Sequence, residues 1–273
     1  MIRDVLVHVD ATASGRERLN YAFDLADRHG ARLTGLHVIA PVDVPPYFRP
    51  SAVEREAAVL ERRAKREAAA SETVFRAVAE TRATPARWST LRGGMAHRLC
   101  ERAAYADLVI LGQYEAEGSA ERHPLYLAEE VVLAAGCPVL VTPQQIGATA
   151  QLCRVLVGWD GGHEAARALR DCLPLLVAAG STIEILIADE RGTPNGAAEL
   201  IDHLSRHGIA VDPARHVHHP GSAGPALLQR LGDRAFDLLV IGAFGHPAWL
   251  EVLFGGATRE AVMRAETPVF FSH

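Results

Sequence analysis

Arg3-Asp4-Val5-Leu6-Val7-His8-Val9-Asp10 and Arg154-Val155-Leu156-Val157-Gly158-Trp159-Asp160 are one type of segment written twice: an arginine, an apolar β-branched run and a closing aspartate. Both read as buried strands. Each is followed by a small-residue turn and an amphipathic helical pattern, over 14–29 and 164–179, which Gly30 and Gly180 close as C-caps. Second apolar runs follow at 32–40 and 182–188. The halves match again at Asp107-Leu108-Val109-Ile110-Leu111-Gly112 and Asp237-Leu238-Leu239-Val240-Ile241-Gly242, and last at Cys137-Pro138-Val139-Leu140-Val141 and Thr267-Pro268-Val269-Phe270-Phe271.

The offset between the copies changes along the chain. It is 150 between Asp10 and Asp160, but 130 between Asp107 and Asp237 and between Pro138 and Pro268. The first half therefore carries about 20 extra residues between its second and fourth strands, a connection that tolerates length. A proline-rich linker (41–50) and a long charged helix (52–81, with Glu54, Arg55, Glu56, Glu61, Arg62, Arg63, Lys65, Arg66 and Glu67) hold the extra material. Such a run reads first as a solvated helix face laced with i,i+4 pairs, and second as a partner surface. Each half alternates strand and helix from β to β. This predicts an α/β protein of two tandem doubly wound five-stranded parallel-sheet domains, residues 1–145 and 151–273, joined at 144–151. Right-handed crossovers then place ligands at the carboxyl ends of the strands.

Composition narrows the function. The 273 residues are 49% hydrophobic, only 6% aromatic and carry a formal charge of -5, so no basic stripe points to nucleic acid. Abundant Ala, Leu, Val and Arg suit an α/β chain. Cys100, Cys137, Cys153 and Cys172 form no CxxC pair, which suits reduced, cytoplasmic usage. No apolar run has the length of a membrane span, and the first residues lack a signal-peptide pattern.

The chemistry-bearing stretch follows the fourth strand of the second half. It runs Gly242-Ala243-Phe244-Gly245-His246-Pro247 and on to Leu253-Phe254-Gly255-Gly256-Ala257-Thr258, ahead of a helix expected at 259–265. Glycine at a strand end lets backbone approach a ligand. Free N–H groups at a helix start form an anion site, with Thr258 as cap or hydroxyl donor. Two glycine turns at one switch point suit phosphates; the same glycines also serve as tight turns with no ligand.

The spacing Gly242-x2-Gly245-x9-Gly255, with the strand-ending aspartate and the closing x-Pro-Val strand, resembles the universal stress protein family in its tandem-domain form. The resemblance covers both halves apart from the linker and charged helix. It implies a Rossmann-like sheet of order 3-2-1-4-5 and ATP, or another adenine nucleotide, with or without Mg²⁺. It places Asp160 near base and sugar, Ile187 against the adenine, and the backbone around Gly242, Gly245, Gly255, Gly256 and Ala257 on ribose and phosphates. Asp160 also reads as a cap for the following helix, and Ile187 as core. Gly256 stands where the family places Ser or Thr, and Thr258 follows two positions later.

In the first half Gly112 persists, but Glu115, Leu125, Tyr126 and Ala128 stand for Gly245, Gly255, Gly256 and Thr258. Side chains replace bare backbone, and Glu115 repels polyphosphate, so one nucleotide per chain is expected. No Walker A, GxSxG or HExxH pattern is present. His216-Val217-His218-His219 alternates along a strand without a clustered acid, so surface histidines are favoured over a metal site. His163, His246 and Arg259 fall near the expected phosphates without an assignable catalytic role. Three functions stay open: regulatory nucleotide binding in stress response with at most slow hydrolysis, a ligand-free scaffold, and a nucleotide-using enzyme. The apolar closing strands predict an intramolecular pseudo-dimer, with a homodimer of the whole chain left open and no membrane partner.

Overall fold

The computed structural model describes residues 1–41, 50–113, 125–146, 150–188, 196–212, 215–217, 223–233, 235–243 and 265–273. The first half holds β1 (Asp4–His8), α1 (Ala13–His29), β2 (Arg32–Ile39), α2 (Pro50–Ala79), β3 (Ala86–Arg92), α3 (Met95–Ala103), β4 (Leu108–Gly112), α4 (Leu125–Ala134) and β5 (Val139–Thr142). The second holds β6 (Arg154–Trp159), α5 (His163–Ala179), β7 (Thr182–Ala188), α6 (Ala197–Arg206), β8 (Ala210–Val211), β9 (Arg215–Val217), α7 (Ala223–Asp233), β10 (Leu238–Gly242) and β11 (Val269–Ser272). Gly30 and Gly180 end α1 and α5 in the left-handed conformation, at φ 58° and 64°. That conformation costs glycine nothing and other residues a Cβ clash.

Strand order in the first half is β3-β2-β1-β4-β5, all parallel. The second half repeats it with one difference: the third position is shared by two short strands, β8 and β9, which both pair with β7. Pro213, between them in the sequence, has no N–H to give to a ladder. The closing strands pair antiparallel, Val269 with Val141, Phe270 with Leu140 and Phe271 with Val139, so one sheet runs through both halves.

Alternation along the strands fills two cores. Val5, Val7, Leu108, Ile110, Leu140, Val155, Val157 and Phe270 face α1, α2, α5 and α6. Leu6, Val109, Val139, Leu156, Leu239 and Phe271 face α3, α4 and α7. Strand residues covered on both faces explain the unbroken apolar runs.

The inserted material is α2, 30 residues where α6 has 10. Its last turns are anchored, because Phe75 packs against Trp88 and Phe23 at ring-centroid distances of 5.2 and 5.9 Å. Gly35 makes room, since a Cβ there would come within 2.5 Å of the Phe75 ring. The middle of the helix is exposed and carries the i,i+4 pairs Arg63–Glu67 and Lys65–Glu61. Each adds a few tenths of a kcal/mol, roughly, so the anchor and not the charge fixes the helix.

Candidate functional site

The sheet changes winding direction between β1 and β4 and again between β6 and β10, and the carboxyl ends of these strands form the two crevices where such folds take ligands. In the second half β6 ends at Trp159 and the chain turns at Asp160. The Asp160 carboxylate accepts the Gly162 N–H at 2.7 Å through Oδ1. Gly162 is itself the N-cap of α5. Asp160 thus braces the turn before the helix and does not cap it, which corrects one of its two sequence readings. Its side chain is exposed at the crevice.

Gly242 ends β10 against the first turn of α5. A Cβ there would lie 2.4 Å from the Ala165 nitrogen and 2.5 Å from the Glu164 carbonyl carbon. Only glycine permits this contact, which brings the α5 N-terminus onto the strand end. Gly158 is under a similar demand from Ile241, 2.8 Å from its would-be Cβ. Ala168, one turn further along α5, is fully buried and adds no polar group.

The first half is built from the same backbone and filled differently. Arg18 stands where α5 has Ala168 and is only 3% exposed. Its Nη2 meets Asp10 Oδ2 at 2.5 Å and its Nε donates to the His8 carbonyl at 3.0 Å. Nη1 lies so close to Gly112 that a Cβ there would be 2.0 Å away. The guanidinium thus lies between the ends of β1 and β4. Asp10 also accepts the Thr12 N–H at 3.0 Å and the Thr12 hydroxyl. Thr12 Oγ1 in turn caps the Gly15 N–H of α1 at 2.9 Å. Burial raises the Asp10 pKa, but Arg18, His8 and Thr12 outweigh it and hold the carboxyl at about 2. Burial, then the Arg18 charge, pushes His8 down to about 4, so it is neutral near pH 7. His37 Nδ1 lies 3.0 Å from the Val9 carbonyl beside it. The second half has Gly158 for His8 and Ile187 for His37.

The universal stress protein family model matches residues 1–143. The chain belongs to the universal stress protein family. A curated universal stress protein of Synechocystis is 28% identical over 174 residues, which are 60% of this chain and 56% of that protein, so the match spans little more than half of the relative. Among solved structures, a universal stress protein from Archaeoglobus fulgidus superposes with TM-score 0.71 at 16% identity, covering 98% of this chain and 95% of that one. A universal stress protein from Pseudomonas aeruginosa gives 0.58 at 15% identity, covering 99% and 93%. At these identities the likeness establishes the fold, with both halves included.

Of the universal stress protein positions read from the sequence, Asp160 and Gly242 lie at the ends of neighbouring strands β6 and β10. Ile187 is fully buried in β7, paired in register with Trp159 and with His216. Its side chain belongs to the core on the α5 side of the sheet. Gly245, Gly255, Gly256, Ala257 and Thr258 lie outside the described residues, as do Glu115, His246 and Arg259. Leu125, the counterpart of Gly255, opens α4. Among the described residues no group of three His, Cys, Asp or Glu could hold a metal ion, and no helix is long and apolar enough to cross a membrane. Sequence reading missed Arg18. The signal was available at the repeat offset of 150, which sets a buried arginine opposite an alanine.

Proposed function

We propose that the second half binds an adenine nucleotide, ATP foremost, at the ends of β6 and β10, and that the chain acts as a regulatory nucleotide-binding universal stress protein. The observation that carries this reading is the contrast between the crevices. In one, Arg18 is lodged between Asp10 and Gly112; in the other, Ala168 and Gly158 leave Asp160 exposed beside Gly242. Asp160 suits a sugar hydroxyl, since its Oδ2 accepts no hydrogen bond among the described residues. The backbone around Gly242, Gly245, Gly255, Gly256 and Ala257 is assigned to ribose and phosphates, with Thr258 as cap or hydroxyl donor and with or without Mg²⁺. Ile187, near the end of β7, is assigned against the adenine.

The domains are assigned as 1–145 and 151–273, held through β5 and β11 as a pseudo-dimer in one chain. One nucleotide per chain follows, with little or no hydrolysis, because the sequence of the glycine loop carries no Walker A pattern and no assignable general base. Mass spectrometry of small molecules released from the purified protein, with calorimetric titration of ATP and Mg²⁺, tests this. A stoichiometry near one that Gly245→Glu abolishes is the expected result. No released nucleotide and no heat of binding would leave the scaffold reading in its place.

A further inference from the structure

The antiparallel pairing of β5 with β11 relates the two halves by an approximate two-fold axis through Leu140 and Phe270. The seam between them accordingly occurs twice, once on each side of the axis, and the two sides are not alike. On one side α1 meets the second half. Tyr21 is 2% exposed there and close enough to Asp237 to feel its charge. Glu17 accepts the Ile146 N–H at 3.1 Å, and Asp24 accepts the Ala150 N–H at 3.2 Å.

On the other side α5 meets the first half, and a cleft of about 600 Å³ remains. Asp107, Cys137 and Pro138 line it from the first half; Arg167, Arg170 and Asp171 line it from α5. At the repeat offset of 150, Asp171 stands where Tyr21 fills the opposite seam, and Arg167 and Arg170 stand for Glu17 and Asn20. The open side has therefore lost a bulky ring and exchanged an acid and an amide for two guanidiniums.

Each carboxylate in the cleft has one oxygen engaged. Asp107 accepts the Arg3 and Asp4 N–H groups at 2.7 and 3.0 Å, and Asp171 accepts the Ser272 hydroxyl at 2.6 Å. The guanidiniums keep donors to spare. Arg167 gives one hydrogen bond, to the main-chain oxygen of His273 at 2.8 Å, and Arg170 makes no hydrogen bond or ion pair among the described residues. Each guanidinium has five N–H donors in a planar fork that matches an oxyanion. Their i,i+3 spacing puts both on one face of α5. The cleft also falls within the size range of small-molecule sites, ~300–1,000 Å³.

We propose that this open seam is a second ligand site, distinct from the strand-end crevices, which takes a small phosphate- or carboxylate-bearing anion between Arg167 and Arg170. Its position makes it a point where a ligand touches both halves.

Thermal unfolding and calorimetric titration of the full chain with inorganic phosphate and with citrate, at ionic strength matched by chloride, test the site. The wild-type protein gains melting temperature in at least one of the two anions beyond the chloride control. Arg170→Gln removes a side chain with no partner among the described residues and weakens that anion about tenfold or more. Asp171→Tyr restores the ring found at the opposite seam and blocks binding by filling the cleft. Should Asp171→Tyr fail to fold, Arg170→Gln decides alone. Full retention of anion binding in a folded Arg170→Gln protein overturns the proposal, because phosphate held at the glycine loop would ignore this change. A wild-type protein that responds to neither anion overturns it as well.

Discussion

The Arg18 guanidinium stands 2.5 Å from the Asp10 carboxylate, with side-chain exposures of 4% and 30%. An arginine so buried is tolerated because Asp10 and the His8 carbonyl take its donors. Removing one member of such a pair costs more than the pair adds, since the other charge is left without a partner. Arg18→Ala, which copies the second half, should therefore destabilise the protein by about 3 kcal/mol in urea unfolding. It should also raise the Asp10 pKa from about 2 toward the ordinary carboxylate value. A carbon-detected NMR titration reads that directly, and an unmoved Asp10 would show that Thr12 and not Arg18 sets its charge.

His8 gives the same cluster a pH dependence. Its folded pKa is depressed to about 4 from 6.5, so the unfolded chain takes up the proton first as pH falls. The stability this contributes is fully present above pH 6.5 and is lost as pH drops toward 4, to a total of about 3 kcal/mol. Asp10, also depressed, adds a further loss below about 3.8, toward 2. Urea midpoints between pH 7.5 and 4.5 should fall in the wild-type chain and fall less in His8→Gln. Equal slopes in the two proteins would remove His8 from the account.

Much of this fold is legible in the sequence because the repeat doubles every signal. Gly30 and Gly180 mark helix ends by a conformation that only glycine adopts cheaply, and the change of offset from 150 to 130 measures α2 before its structure is known. The Arg18 plug is less legible. Position 18 lies among charged residues of α1, where an arginine ordinarily points to solvent, and its burial depends on Gly112, which lies far off in sequence. Comparison with Ala168 would have exposed the anomaly. Asp160 was half legible: its place at the strand end follows from the motif, but its bond to the Gly162 N–H depends on the turn's geometry. The shared third position of β8 and β9 is not legible, because β8 has only two residues, Ala210-Val211, and its pairing with β7 is set by tertiary register.

A different charged pair holds α7 to the sheet. Arg230 donates to both oxygens of Glu184, at 2.5 and 2.6 Å, and the two side chains are 11% and 5% exposed. Arg230 also lies over the Phe236 ring, 5.7 Å from its centroid. Glu184→Gln keeps the shape but leaves the guanidinium without its counter-charge, for a loss of about 3 kcal/mol. The double change Glu184→Leu with Arg230→Met should recover most of that loss, as paired replacement of a buried ion pair by apolar groups commonly does. Denaturant unfolding of the set checks this; a double variant no better than Glu184→Gln would count against burial as the source of the cost.

Gly112 and Gly242 occupy equivalent strand ends, yet they should respond differently to the same substitution. At Gly112 the added methyl meets the tip of Arg18, the far end of a flexible side chain that can give by a small shift. At Gly242 it meets the backbone of Glu164 and Ala165, which can move only if all of α5 shifts on the sheet. Overpacking against backbone costs about 1–3 kcal/mol, and the upper end applies where no side chain can yield. Gly242→Ala should therefore lose about 3 kcal/mol of stability, and Gly112→Ala about 1 kcal/mol. Under the proposed function the two differ in binding too. Displacing α5 moves the N-terminal turn beside Asp160, so Gly242→Ala weakens ATP binding, whereas Gly112→Ala leaves it unchanged. Calorimetric titration of both variants, each confirmed folded by circular dichroism, separates these outcomes, and an equal loss of ATP affinity in both would mean that the two crevices are not divided as Arg18 and Ala168 indicate.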